Sequence, residues 1–133
     1  MDIMVILKFP DSLLINLDKI RIEQVIINIL SNAVKNTQPN GRVEIVLQKK
    51  KSVAVLVVSD DGIGLTQDEM DVLFTRFGKI ERYGEGFEYL DIQGTGLGLF
   101  ISKEIVELHN GEIKAESAGR NKGSQFIVRL PID

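Results

Sequence analysis

The sequence predicts an α+β fold, a two-layer sandwich in which about three helices cover one face of a mixed, mostly antiparallel β-sheet. Two observations predict it. Segments with strand and helix patterns follow one another in the order β, α, ββ, α, loop, α, ββ, which supplies antiparallel strand pairs and helices to cover them. The length of 133 residues fits a single domain, residues 1–133, that is large enough to bury one hydrophobic core.

The strands are predicted from apolar or alternating runs that end at turn residues. Runs of this kind occur at residues 3–9, 42–48, 53–59, 112–117 and 125–130, and a further short strand could form at residues 13–16. Residues 42–48 alternate apolar and polar positions, as a half-buried strand does. Residues 53–59 are almost continuously apolar, which is typical of a central strand.

Three helices are predicted from periodicity and capping residues. Asp18 is a plausible N-cap for a long helix over about residues 19–36, which is apolar on nearly all sides, as a buried helix should be. Thr66 begins a Ser/Thr-x-x-Glu capping box, which predicts a short helix directly after it. Residues 97–108 form an amphipathic helix, and the glycine-rich stretch at residues 78–95 is expected to be a long loop.

Charge and composition exclude several classes of function. The net charge of −3 gives no electrostatic reason to expect nucleic acid or a membrane surface as a partner. No cysteine is present, so disulfides and thiolate metal sites are excluded. The longest apolar run, residues 53–58, is far shorter than the roughly 20 residues that span a bilayer. We therefore expect a cytoplasmic location.

Polar residues form a stripe along the first helix. Gln24, Asn28, Asn32 and Asn36 recur at intervals of four and therefore share one face, and Lys35 lies beside them. Amide groups on a buried helix are costly unless something satisfies their hydrogen bonds. The stripe either faces water or forms the wall of a ligand site, with amide oxygens for a cation and an ammonium group for phosphate.

Two glycine motifs provide further candidate ligand contacts. Residues 60–64, Asp-Asp-Gly-Ile-Gly, directly follow the apolar strand and would let a planar ligand approach a carboxylate and the backbone, or would simply form a strand-ending turn. Residues 94–99, Gly-Thr-Gly-Leu-Gly-Leu, precede a helix whose N-terminus favours an anion, or they form a flexible helix start. Neither motif has the spacing of the two common nucleotide-binding loops.

The order and spacing of these motifs resemble the catalytic domain of sensor histidine kinases, which belong to the GHKL superfamily with the Bergerat fold. Residues 24–37 resemble the N box, residues 60–64 the first glycine box, residues 73–77 the F box and residues 94–99 the second glycine box. The closing segment Gly-Ser-Gln-Phe at residues 123–126 also resembles the last strand of the family. The resemblance runs from about Asp18 to Pro131.

The resemblance implies binding of ATP or ADP with Mg²⁺. At the base, Asp60 is expected to accept a hydrogen bond from the adenine amine, with Gly62, Gly64 and Ser124 nearby. The residues expected at the phosphates are Asn28 and Asn32 as Mg²⁺ ligands, Lys35 as a direct phosphate contact, and Thr95, Gly96, Leu97 and Gly98 shaping the phosphate end of the site. Residues 78–95 would be the ATP lid. Arg76, Lys79 and Arg82 are basic residues in or beside the lid, and one or more of them is expected at the γ-phosphate.

The implied activity is transfer of the ATP γ-phosphate to a histidine on a separate dimerisation–phosphoacceptor domain of the same kinase, with Asn28, Asn32 and Lys35 as the catalytic residues. A response regulator would be an indirect partner, and the domain itself would be the cytoplasmic part of a larger sensor protein or of a soluble one. His109 is the only histidine and is not expected to be the acceptor, because a cationic side chain is already favourable at a helix C-terminus.

Two other functions compete with this one. ATPases of the gyrase, Hsp90 and MutL group share the resemblance but carry a glutamate as general base where Asn28 stands, and an amide cannot take a proton from water. A degenerate nucleotide-binding module is disfavoured by the intact motif residues. The sequence departs from the family pattern at Asn36, where an aromatic residue is common, and at Lys79, where a usual arginine would make a bidentate phosphate contact.

Overall fold

The computed structural model of this protein describes residues 4–8, 19–75 and 98–132. In chain order the elements are β1 (Met4–Lys8), α1 (Lys19–Asn36), β2 (Arg42–Lys50), β3 (Val53–Asp60), α2 (Gln67–Val72), α3 (Gly98–Leu108), β4 (Glu112–Glu116) and β5 (Ser124–Pro131). This order confirms the predicted succession of helices and strands. The short strand considered at residues 13–16 and the loop predicted at residues 78–95 lie outside the described residues.

The five strands form one sheet in the order β1-β2-β3-β5-β4. β1 pairs with β2 in parallel, and the other three pairings are antiparallel. The sheet is therefore mixed and mostly antiparallel, as predicted. β3 lies at its centre, as its nearly continuous apolar run predicted.

The hydrophobic core lies between the sheet and the two longer helices. Ile29 and Ala33 of α1 and Val106 of α3 are fully buried, and Phe126 of β5 is 1% exposed. The Phe126 ring also packs edge-on against Phe74, with ring centroids 6.2 Å apart. α1 packs against α3 and β3, and α3 packs against β4, so the helices cover one face of the sheet. The predicted two-layer sandwich is confirmed.

The first helix is buried on one side only, and the prediction of burial on nearly all sides is wrong. Ile20, Ile27 and Val34 are exposed, and they lie seven residues apart along α1. Two turns of helix separate neighbours at this spacing, so the three side chains form a line on the side away from the sheet. Hydrophobicity alone could not identify that side, since apolar residues occur all round the helix.

Within the described residues, none of the helices combines the length and the hydropathy that a membrane crossing requires. α1 is the longest of them with 18 residues, and its apolar side packs onto β3 and α3.

The unequal burial of two isoleucines on α1 gives a direct test of its orientation. Ile29 is 0% exposed and Ile27 is 60% exposed. Ile29→Ala should lower the free energy of unfolding by roughly 2–5 kcal/mol, because it removes buried methylenes and leaves a cavity. Ile27→Ala should change it by no more than about 0.5 kcal/mol. Urea unfolding monitored by circular dichroism measures both, and equal losses would contradict this orientation of α1.

Candidate functional site

The carboxylate of Asp60 is held in a fixed position at the end of β3. Asp60 pairs with Ser124 in the ladder between β3 and β5 and is 8% exposed. Its Oδ1 accepts a hydrogen bond from the Gly62 N–H at 2.9 Å, and its Oδ2 accepts one from the Ser124 hydroxyl at 2.8 Å. Both strands extend one residue beyond their predicted ends, to Asp60 and from Ser124, because this pair continues the ladder.

The glycines of the first glycine motif are required by contacts between protein backbones. A Cβ on Gly62 would overlap the carbonyl oxygen of Asn36, the last residue of α1. The neighbouring Ile63 N–H donates to that same oxygen at 3.1 Å. Gly64 has a φ of +69°, and a Cβ there would overlap the carbonyl oxygen of Gly119. The motif therefore lies packed between the end of α1 and the connection from β4 to β5.

That connection, residues 117–123, is joined to the first glycine motif by several hydrogen bonds. The Ser117 hydroxyl oxygen accepts from the Leu65 N–H at 3.0 Å, and the Asn121 N–H donates to the Ile63 carbonyl at 2.7 Å. Arg120 forms an ion pair of 2.8 Å with Glu69, the capping-box residue of α2. Sequence reasoning missed these residues, because a serine after a strand and a basic residue in a turn carry no local signal of such contacts.

The polar stripe of α1 passes from solvent into the protein. Gln24 is exposed, Asn32 is half-buried, and Asn28 and Asn36 are buried. The amide nitrogen of Asn28 donates to the Gly98 carbonyl at 3.2 Å and to the Ser102 hydroxyl oxygen at 3.1 Å. The hypothesis that the whole stripe faces water is therefore wrong, and its middle part lies against the start of α3.

The amide oxygens of Asn28 and Asn32 differ from their nitrogens in their surroundings. The Asn32 nitrogen donates to the Asn28 backbone carbonyl at 3.4 Å, a weak contact within α1. Among the described residues, no hydrogen-bond donor contacts the side-chain oxygen of either asparagine. Neutral oxygens of this kind are ligands that Mg²⁺ and Ca²⁺ accept, so the donor set of this helix fits a hard divalent cation.

The remaining predicted site residues fall into two groups. Lys35 is half-buried in the last turn of α1, three residues after Asn32. Gly98 begins α3, so the last glycine of the second glycine motif lies where α1 and α3 meet. The other predicted residues, Arg76, Lys79, Arg82, Thr95, Gly96 and Leu97, lie outside the described residues.

The fold and these motifs define an ATP-binding class of protein. A family model described as histidine kinase-, DNA gyrase B- and HSP90-like ATPase matches residues 17–133, and the chain belongs to this family. The match begins two residues before α1 and includes both glycine motifs.

Within this family the chain is similar to sensor histidine kinases. It is 40% identical over 119 residues to the circadian input-output histidine kinase CikA of Synechococcus elongatus, an alignment that covers 86% of this chain and 14% of CikA. The chain spans less than a fifth of the length of the curated relatives that it matches first.

Solved structures of histidine kinases share the fold. The mycobacterial sensor histidine kinase MprB superposes with a TM-score of 0.80 at 28% identity, covering 98% of this chain and 82% of that one. Histidine kinase ThkA in complex with the response regulator protein TrrA superposes with a TM-score of 0.77 at 26% identity, covering 98% of this chain and 34% of that one.

The contact between Ser117 and Leu65 gives a prediction about the rigidity of this site. In Ser117→Ala the Leu65 amide loses its acceptor, so its hydrogen exchange should accelerate by about fivefold, as expected for the loss of one hydrogen bond of roughly 1 kcal/mol. Exchange measured residue by residue by NMR tests this. Ser59→Ala is the control, because the Ser59 side chain on β3 makes no hydrogen bond to the part of the chain that the structure describes, and it should leave the Leu65 rate unchanged. Equal rates in Ser117→Ala and the parent chain would refute the contact.

Proposed function

We propose that this chain, as the single domain 1–133, is the ATP-binding catalytic domain of a sensor histidine kinase. Its reaction is transfer of the ATP γ-phosphate to a histidine on a separate dimerisation–phosphoacceptor domain. The observation that carries the proposal is that α1 connects the two glycine motifs. Asn36 contacts the first of them through Ile63, and Asn28 contacts Gly98 of the second. These two asparagines are eight residues, or about 12 Å, apart along the helix, a length suited to a nucleotide with its base at one end and its phosphates at the other.

Asp60 supports adenine recognition at the base end of the site. An ionised carboxylate only accepts hydrogen bonds, and the 6-amino group of adenine donates them. Guanine carries a carbonyl at the corresponding position, which would face the carboxylate as a second acceptor. The contacts with Gly62 and Ser124 hold the carboxylate before any ligand arrives, so little of its side-chain entropy is lost on binding.

The side chains of Asn28, Asn32 and Lys35 support phosphate binding at the other end. The two amide oxygens would hold Mg²⁺, and the Lys35 ammonium would contact a phosphate oxygen directly. The metal ion, when bound, neutralises charge on the phosphates. The backbone at Thr95, Gly96 and Leu97 would shape this end of the site, with Arg76, Lys79 or Arg82 at the γ-phosphate.

The carboxamide side chain of Asn28 favours phosphoryl transfer to a protein over hydrolysis. A hydrolysing enzyme needs a base that takes a proton from water, and a carboxamide does not do so. The nitrogen of Asn28 is, moreover, committed to Gly98 and Ser102. These residues can position a nucleotide and a cation, and the acceptor group would come from another domain. The structure of ThkA with TrrA supports a response regulator as the downstream partner of the whole kinase.

Nucleotide specificity tests the role of Asp60. ATP and ADP should bind in the presence of Mg²⁺ with clear preference over GTP, and Asp60→Ala should weaken ATP binding by roughly 10- to 100-fold, the loss of a hydrogen bond to a charged group. Calorimetric titration measures the dissociation constants. Asp61→Ala is a matched control, because the Asp61 side chain is exposed and accepts from the Arg42 N–H at 2.9 Å, and it should change affinity by less than about threefold. Equal affinity for ATP and GTP would contradict the assignment of Asp60.

The absence of a suitable acceptor within this chain gives a second functional test. His109 lies just after α3, and its Nδ1 is 2.9 Å from the Ile105 carbonyl oxygen of the same helix. Incubation with γ-labelled ATP should leave the 133-residue chain unlabelled and release phosphate very slowly. Addition of a cognate dimerisation–phosphoacceptor domain should produce acid-labile label on that domain. Acid-labile label on His109 would contradict the proposed division between the two domains.

A further inference from the structure

The buried hydroxyl of Ser102 contacts a residue of the proposed phosphate end. Ser102 lies on α3 and is 0% exposed. Its hydroxyl donates to the Gly98 carbonyl at 2.9 Å and accepts from the Asn28 amide nitrogen at 3.1 Å. A hydroxyl has one hydrogen to donate, and here that hydrogen goes to Gly98. Towards Asn28, the Ser102 oxygen therefore acts only as an acceptor.

These contacts select one of the two orientations of the Asn28 side-chain amide. The oxygen and nitrogen of an amide have nearly the same shape, so only hydrogen bonds distinguish an amide from its flipped form. In this structure the nitrogen has two acceptors, Gly98 O at 3.2 Å and Ser102 Oγ at 3.1 Å. In the flipped form the Asn28 oxygen would face the Gly98 carbonyl oxygen, which is also an acceptor, and Ser102 could donate to it only by giving up its own hydrogen bond to Gly98. The oxygen is therefore kept on the side away from α3.

We propose that Ser102 is a positioning residue that orients the Asn28 amide, so that its oxygen is presented to the divalent cation of the bound nucleotide. The inference rests on the proposed function. It assigns to Ser102 no contact with nucleotide or metal, because Ser102 is 0% exposed and its one hydroxyl hydrogen goes to Gly98. Ser124 has the corresponding relation to Asp60 at the base end, where a buried hydroxyl also fixes a side chain of the site.

The experiment compares Ser102→Thr with Ser102→Val in the 133-residue chain. The two replacements have the same shape, so any effect of added volume at this buried position is common to both, and they differ only in the hydroxyl. Thermal melting of both variants verifies that they fold. Val106→Ala, one turn further along α3 and also 0% exposed, is a control for loosening of the helix without loss of a polar contact.

The first readout is the side-chain amide signal of Asn28 in NMR spectra without nucleotide. Ser102→Thr should retain its chemical shifts, and Ser102→Val should move them and accelerate exchange of the amide protons. The second readout is the enhancement of ADP affinity by Mg²⁺, measured by calorimetry with and without a chelator. Ser102→Val should reduce this enhancement by roughly two- to tenfold relative to Ser102→Thr, the effect of one neutral hydrogen bond, and should leave metal-free affinity within about twofold.

The outcomes separate this inference from the proposed function. If Asn28→Ala removes the Mg²⁺ enhancement while Ser102→Val and Ser102→Thr behave alike, Ser102 has no positioning role and the nucleotide site stands. If Val106→Ala reduces the enhancement as much as Ser102→Val does, the effect is one of helix packing and the assignment of Ser102 is wrong. If the parent chain binds no adenine nucleotide, the proposed function fails, and the inference fails with it.

Discussion

At the end of α1, the carbonyl oxygen of Asn36 accepts a hydrogen bond from Ile63 and lies so close to Gly62 that a side chain there would overlap it. This contact fixes the distance between the helix and the end of β3. Because a helix is stiff, it also fixes where Asn28 and Asn32 lie relative to Asp60. The first glycine motif thus has a structural role, whatever the ligand, and the geometry of the whole site depends on it.

Hydrogen bonds between buried polar groups hold Asp60 and Asn28 of the candidate site in place. A buried polar atom without a partner costs free energy, so these side chains are stable only in orientations that satisfy them. Ser124 and Gly62 satisfy the carboxylate of Asp60, and Gly98 and Ser102 satisfy the nitrogen of Asn28. The same hydrogen bonds that make burial tolerable also orient the groups for binding.

Local sequence patterns predicted the elements well, and their contacts poorly. α1 begins and ends at the residues that its periodicity and flanking turn indicate, and the capping box of α2 forms at Thr66 and Glu69. Both features depend on residues within a few positions of one another. The exposure of Ile27 depends instead on which side of α1 meets the sheet, and nothing within the helix determines that.

The residues that sequence reasoning missed have partners far away in the chain. Ser102 contacts Asn28 across 74 positions, and Ser117 contacts Leu65 across 52. No window of neighbouring residues contains such a pair, so neither serine is distinguishable from an ordinary one. The candidate site residues could be predicted from the sequence for a different reason, since their type and order resemble those of a known family.

The pairing of β3 with β5 has a consequence for how the protein is made. Asp60 and the serine that holds it are 64 residues apart, and the two strands that carry them are neighbours in the sheet. Contacts between distant residues form slowly, because a long loop must close before they are gained. On the ribosome, a nascent chain that has completed α1 and β3 still lacks the strand that fixes Asp60. Asp60 therefore gains its hydrogen bond from the Ser124 hydroxyl only in a chain whose synthesis has reached β5.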